Sequence, residues 1–269
     1  MRPIFLIFYL FLSFSIFGQS GIQQLLDARS SGMGQIGTIH SGSNALLGNP
    51  AGLADLSHFT ALGVVENRFL AKELQNAGFA VALPMENSAI GIQLGAFGFE
   101  SYREFKSGLS YARKLSESLS LGGQIIYWNQ NIPEYGNSSL LTFKLGLQAM
   151  LSEDIRFGVS IYNPIRLEIT EGEQTYAILR VGLSYQLSSK VLLASELEKD
   201  QDFATRIKLG MDYQLSAPLS LRAGVITAPY EISFGMGLDL FQECRLDLVI
   251  RQHEVLGFTP GIGLVYQKK

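Results

Sequence analysis

The stretch 206–225 reads RIKLGMDYQLSAPLSLRAGV, and its pattern decides the fold class. Every second residue from Ile207 to Leu215 is large and apolar, and the residues between them are charged, amide or glycine. Such an alternation places two sets of side chains on opposite faces of a β-strand. Turn residues interrupt it at Leu215-Ser-Ala-Pro-Leu219, and apolar residues follow again. The stretch therefore predicts two antiparallel strands joined by a short turn.

The same unit recurs along the chain. Related turns stand at Leu115-Ser-Glu-Ser-Leu119, Leu151-Ser-Glu-Asp-Ile155 and Leu187-Ser-Ser-Lys-Val191. A repeated strand, turn and returning strand predicts an antiparallel meander of about fourteen strands. An even number of strands returns both termini to the side of the repeated turns. The predicted strands begin near His58, Asn76, Ser88, Arg103, Leu119, Leu140, Ile155, Thr175, Val191, Phe203, Leu219, Glu231, Arg245 and Thr259.

The composition favours a membrane barrel over a soluble β-sandwich. The chain is 47% hydrophobic and 17% charged, whereas a soluble domain has about 25% charged residues. After the first twenty residues, no apolar run approaches the roughly 20 residues of a membrane helix. We therefore predict an all-β fold, a transmembrane antiparallel β-barrel surrounded by the lipid of the cell outer membrane. Its repeated turns would be periplasmic, and the connections 129–139 and 163–174 would be extracellular.

Several classes of function are not indicated. The net charge is −3, and no basic cluster could hold the phosphates of a nucleic acid. The histidines His40, His58 and His253 share no metal-ligand spacing, and Cys244 has no neighbouring thiol. A catalytic site would need a nucleophile or a water activator held by an oriented histidine, and none is recognisable. We expect no enzyme, no metal and no cofactor.

The N-terminus precedes the strand pattern. Residues 1–18 combine Arg2 with an apolar run and a small residue at the cleavage point, which predicts a signal peptide. Residues 19–56 are irregular, rich in glycine and partly apolar, and 22–28 could form a short helix. Irregular backbone at membrane depth is tolerated inside a barrel. We predict that 19–56 forms a plug in the lumen and that 57–269 forms the barrel.

Charged residues fall on the face opposite the apolar one, so we predict that they line the lumen. Mixed signs there indicate either a network that joins barrel and plug or a basic lining that steers an anionic headgroup. The predicted lumen-lining charges are Arg156, Arg180, Arg206, Lys208, Asp212, Arg222, Asp239, Arg245, Asp247 and Arg251, with Lys106, Lys144, Glu196 and Glu198 on the same face.

Residues 28–56 read ARSSGMGQIGTIHSGSNALLGNPAGLADL. This segment resembles the N-terminal signature of the FadL-type barrel superfamily, which includes long-chain fatty acid transporters and the PorV and PorQ proteins of type IX secretion. The resemblance implies a plug whose inner turn and gate are formed by Asn49, Pro50, Ala51 and Gly52. The FGQ ending of the signal and the repeated turns also resemble proteins of Bacteroidetes-type bacteria.

Two functions follow from this resemblance. The first is transport, in which hydrophobic small molecules pass through a lumen closed by the plug and leave through it or laterally. The second is an interaction role as a PorV- or PorQ-like component that binds secretion-system proteins. The extracellular connections are short, and the sequence contains no long loop for a partner, so neither function is preferred at this point.

Overall fold

The chain folds into one closed antiparallel β-barrel. The computed structural model describes residues 25–165, 168–170, 173–174, 177–200 and 203–268. Fourteen strands close the barrel, each paired with its neighbours, and a separate two-stranded hairpin lies between the seventh and eighth barrel strands. β1 pairs with the last strand, β16, so the barrel has no free sheet edge. The predicted fold class and the number of strands are confirmed.

The barrel strands are long, as a tilted membrane strand must be. They are β1 (Thr60–Asn67), β2 (Gln75–Met85), β3 (Ser88–Phe99), β4 (Tyr102–Lys114), β5 (Leu119–Ile132), β6 (Gly136–Met150), β7 (Ile155–Tyr162), β10 (Ile178–Ser188), β11 (Val191–Asp200), β12 (Arg206–Ser216), β13 (Leu219–Ile226), β14 (Glu231–Asp239), β15 (Cys244–His253) and β16 (Gly257–Gln267). The hairpin consists of β8 (Glu168–Thr170) and β9 (Glu173–Gln174).

Side chains alternate between lipid and lumen as the sequence pattern predicts. On β12, Leu209 and Met211 are exposed on the outer surface, whereas Lys208 and Asp212 are buried inside. Tyr111 and Tyr185 lie on the outer face just before the repeated turns. A tyrosine ring is apolar and its hydroxyl is polar, so such positions suit the membrane–water interface. The exposed apolar outer surface identifies a barrel of the outer-membrane type.

One predicted connection is wrong. The connection expected at 129–139 is only 133–135, because β5 continues to Ile132 and β6 begins at Gly136. The amide and hydroxyl side chains there, such as Asn129 and Ser139, hydrogen-bond each other across the strand pair. Their polarity is typical of a loop, but strands that extend beyond the apolar part of the membrane also carry polar residues.

The segment that precedes β1 lies in the lumen. It contains one α-helix, α1 (Ala28–Gly32), and two short 3-10 helices, Gly42–Ala45 and Pro50–Asp55. α1 begins later than predicted, because the Asp27 side chain caps it by accepting from the Ser30 N–H. Among the described residues, no helix has the length and apolarity needed to cross a membrane. Residues 1–24, including the predicted signal peptide, lie outside the described residues.

Candidate functional site

Asn49 joins the lumenal segment to the barrel wall. Its Nδ2 lies 3.1 Å from the carbonyl oxygens of Leu147 and Val159, on β6 and β7, and 3.0 Å from that of Thr38. Its Oδ1 accepts from the N–H of Ala51, which caps the 3-10 helix Pro50–Asp55. Asn49 thus satisfies backbone groups of the wall, of the segment and of its own helix. Pro50 at the first helical position needs no N–H partner.

The wall carries a set of lumen-facing glycines that we call the glycine cradle. Each lies where backbone of the lumenal segment touches the strand, and a Cβ there would overlap that backbone or the side chain of Asn49. Glycine in a strand often marks such a close approach. The glycine cradle comprises Gly122 and Gly146 on β5 and β6, Gly158 on β7, and Gly210 and Gly224 on β12 and β13.

Ion pairs and charge-assisted hydrogen bonds also hold the lumenal segment on the side that faces the glycine cradle. Glu196 Oε2 accepts from the backbone N–H groups of Gly37 at 3.1 Å and Thr38 at 3.0 Å. Lys208 Nζ donates to the Gln35 carbonyl at 3.1 Å. Arg29 on α1 pairs with Asp212 at 2.9 Å. These bonds fix residues 29–38 against β11 and β12.

The ten predicted lumen-lining charges all have partners. Asp239 is the most exposed of them, with 43% of its side chain exposed at the periplasmic mouth, and its contact with Arg245 is long, at 3.9 Å. The main pairs are Arg156–Asp55 at 2.7 Å, Arg180–Glu198 at 2.7 Å, Arg206–Glu198 at 3.0 Å, Lys208–Glu196 at 2.8 Å, Asp212–Arg29 at 2.9 Å, Arg222–Asp247 at 2.6 Å, Arg245–Asp247 at 3.2 Å and Arg251–Glu66 at 3.0 Å.

Sequence reasoning missed several members of this arrangement. Glu66 and Glu231, which share Arg251, were not selected, because each stands at a strand end with a loop-like neighbourhood. Arg29 and Asp55 were not selected either, since their partners lie far away in the sequence. The glycine cradle was interpreted only as small residues in strands. Many wall glycines alternate onto the lumen face, but the level of each glycine in the barrel requires the strand register.

The opposite side of the lumenal segment is apolar. Leu46, Leu47 and Leu53 are buried in one hydrophobic cluster with side chains of β1 to β4, which are small or aliphatic. The wall members of this cluster on those strands are Leu62, Val64, Ala80, Ala82, Ala89 and Ala112. Dispersion and burial of apolar surface hold this side together, without the fixed geometry of a buried ion pair.

An internal cavity of about 60 Å³ lies on this apolar side. Leu25 and Leu47 of the lumenal segment line it, together with residues of β3 to β7, among them Gln93, Ile126 and Tyr162. On the outside of the barrel, an apolar groove of about 530 Å³ crosses β15, β16 and β1 to β4. Both are lined by Leu94 and Gly95, so β3 alone forms the wall between them at this point.

Metal and cofactor sites are not suggested by the side chains. In the described ranges, no group of three or more His, Cys, Asp or Glu residues could hold a metal ion. His40 is buried in the lumenal segment, and His253 ends β15, where its ring contacts Phe69. His253 Nδ1 accepts from the backbone N–H of Val255, which is a turn contact.

No protein-family model matches the sequence, and no curated protein matches it significantly. Solved structures match across almost the whole barrel. A monoaromatic hydrocarbon channel, CymD, is 16% identical and has a TM-score of 0.71, with 93% of this chain and 99% of that chain covered. The Pseudomonas putida toluene transporter TodX is 12% identical with a TM-score of 0.72, covering 93% and 100%. A Pseudomonas aeruginosa FadL homologue is 13% identical with a TM-score of 0.65, covering 90% and 97%. At these identities the likeness shows a shared fold.

Proposed function

We propose that this chain, which has the fold of the FadL-type barrels, passes small apolar molecules from its lumen sideways into the membrane. The main support is that Leu94 and Gly95 line both the internal cavity and the outer groove. Gly95 has no side chain, so only the strand backbone separates the cavity from the groove there. A solute in the cavity would reach the lipid phase if β3 parted from a neighbouring strand at this point. The solved structures described as hydrocarbon and toluene transporters support the same substrate class.

The lumenal segment acts as the plug in this proposal. Residues 19–56 would close the direct route to the periplasm, with Asn49, Pro50, Ala51 and Gly52 forming its inner turn. The ion pairs of Glu196 and Lys208 and the glycine cradle support this role, because displacing the segment would expose buried charges. Residues 1–18 would direct the chain to the outer membrane as a cleaved signal peptide.

Passage requires a local change of structure. A cavity of about 60 Å³ is smaller than the roughly 150 Å³ cavity that binds benzene in an engineered protein. Leu25 and Leu47 must therefore move before an aromatic solute fits. The pairing of β3 with β2 and β4 is continuous at Gly95, so the wall is closed in this state. Movement of two leucines in an apolar contact breaks no ion pair.

The docking role receives no support from the comparisons. The matching solved structures named above are transporters or channels, and the lumen has the features of a solute path. We therefore propose transport rather than catalysis or a PorV- or PorQ-like role, with outer-membrane lipid and a hydrophobic solute as the partners.

The lateral route can be tested by adding a side chain at Gly95. Gly95→Leu places a bulky side chain in the cavity lining beside Lys106, at a position where a Cβ has room. We expect uptake of radiolabelled toluene by cells expressing the chain to fall to the level of cells without it. The control is Gly123→Leu, because a Cβ at Gly123 also meets only ordinary contacts. Equal uptake by both variants at equal amounts of folded protein would contradict the lateral route.

A further inference from the structure

Glu104 forms an ion pair with Lys106, which lines the internal cavity. Its Oε1 accepts from the hydroxyl of Tyr102 at 2.6 Å, and its Oε2 accepts from the indole N–H of Trp128 at 3.1 Å. Lys106, two residues along β4, places Nζ 3.2 Å from the same Oε2. Both side chains point into the lumen, and Glu104 is 9% exposed. A carboxylate with three donors is ordered and stays ionised.

Lys106 is the charged residue of the cavity lining. The other described residues that line it are apolar, glycine, serine, glutamine or tyrosine. A lysine at the end of an apolar cavity would by itself attract an anionic group such as a carboxylate. Glu104 already supplies that carboxylate, so the net charge of the pair is zero.

Two other cations of the lumen, Lys144 and Arg180, bond to groups outside the described lining of the cavity. Lys144 is 2% exposed and donates to the Gly48 carbonyl beneath the plug segment. Arg180 pairs with Glu198 at 2.7 Å. An anionic solute in the cavity would therefore lose its hydration without gaining an ion pair.

We propose that Glu104 is a specificity-determining residue, which neutralises Lys106 and so restricts the cavity to uncharged solutes. This inference rests on the proposed transport function and deepens it, since it separates hydrocarbons and other neutral molecules from anionic amphiphiles. It replaces the alternative of a basic lining that steers an anionic headgroup. The selectivity arises from one ion pair, so a single substitution should change it.

Trp128 provides the measurement. It is the one tryptophan of the sequence, it is buried, and it bonds to Glu104. The purified full chain is titrated with methyl benzoate and with benzoate at pH 7, while tryptophan fluorescence is recorded. These probes share a ring and a carbonyl and differ in charge. We expect methyl benzoate to bind at least about tenfold more tightly than benzoate, because an unpaired charge is not buried readily.

The decisive variant is Glu104→Gln. The amide oxygen still accepts from Tyr102 or Trp128, but the negative charge is lost. Benzoate affinity should rise at least about tenfold, whereas methyl benzoate affinity should change little. Asp239→Asn is the matched control, since it removes one negative charge at the periplasmic mouth and should leave both affinities unchanged.

A second variant, Lys106→Met, tests the same pair from the other side. It leaves the Glu104 charge unneutralised, so the cation benzylammonium should gain at least about tenfold in affinity. Two results would overturn the role of Glu104. In the first, the unaltered chain binds benzoate as tightly as methyl benzoate. In the second, the folded variants keep the selectivity of the unaltered chain. If the unaltered chain binds none of the three probes, the proposed transport function itself is contradicted.

Discussion

The lumenal segment, which we propose to be the plug, has two unlike sides. On the side of β5 to β7 and β10 to β14, the glycine cradle admits its backbone, and Glu196 and Lys208 bond it directly. On the side of β1 to β4, leucines of the segment pack against alanine, valine and leucine of the wall. The first side is specified by geometry and charge, and the second mainly by apolar contact.

This difference separates anchoring from passage. Buried charges tolerate little displacement, because each shift leaves a charge or a hydrogen-bonding group unsatisfied. Apolar side chains can change rotamer at a smaller cost. The cavity borders the apolar side, with wall residues from β3, β4, β5 and β7, and the thin wall at Gly95 lies on that side. The fixed side can therefore hold the plug in place while the apolar side admits a solute.

The largest expected effect comes from adding one methyl group to the cradle. A Cβ at Gly224 would overlap the backbone of Met33 and Gly34, whereas a Cβ at Gly91 would lie 3.3 Å from the Val81 carbonyl and 3.4 Å from Leu53. We expect Gly224→Ala to unseat the plug and to turn a closed barrel into a conducting one in planar bilayers. Gly91→Ala should stay closed, and a closed barrel in both variants would remove the distinction between the sides.

The second prediction removes a charge from the fixed side. Lys208→Met deprives Glu196 and Glu198 of a cation and the Gln35 carbonyl of a donor. Breaking a buried pair in this way costs about 3–5 kcal/mol of unfolding free energy. Urea unfolding in lipid or detergent measures it. The double variant Lys208→Met with Glu196→Gln should recover part of the loss, and a single variant as stable as the unaltered chain would refute the anchoring role.

The third prediction concerns the outer face of the same strand. Leu209 is 52% exposed, next to the buried Lys208. Leu209→Arg should cost about 2–4 kcal/mol if it lies near the midplane of the membrane. A cysteine at 209 should react with a lipid-phase reagent, while a cysteine at 208 should be protected. The reverse labelling pattern would mean that position 208 faces the lipid. Lys208 could then not anchor the lumenal segment.

Much of the barrel could be predicted from the sequence, because its alternation is local. The starts of β3, β5, β7, β11, β13 and β14 agree with those expected, since turn residues mark them. The ion pairs between plug and wall could not be predicted individually. Arg29 and Asp212 are 183 residues apart, and only the closed register of the barrel brings them together.

The glycine cradle could not be predicted from the sequence either. In the sequence, Gly146 and Gly224 cannot be told apart from Gly123, although Gly123 lies where a side chain has room. Alternation can assign each glycine to a face, but it cannot show which of them lie opposite the plug. That depends on strand stagger and on the path of an irregular segment, neither of which has a short-range sequence signal.

The smallest expected effect comes from an ionic contact between the lumenal segment and the apolar side. Asp55 ends the last helix of the plug segment and pairs with Lys114 of β4 at 3.1 Å and with Arg156 of β7 at 2.7 Å. Burial raises the pKa of Asp55, but the two cations outweigh it and bring the pKa below its ordinary value of 3.8. The ionised form is therefore favoured in the folded state, and its contribution is lost as the pH falls through this range.

Asp55→Asn should accordingly lower the unfolding free energy by no more than about 1 kcal/mol at pH 7, since both partners are partly exposed. The difference from the unaltered chain should shrink at pH 3, where the carboxyl group of the unfolded chain is mostly protonated. Urea unfolding at both pH values measures it, with Asp154→Asn in the exposed β6–β7 turn as the control. A loss several times larger would mean that Asp55 anchors the plug as firmly as Lys208 does, and the apolar side would then be fixed as well. A loss that grows towards pH 3 would contradict the direction of the pKa shift.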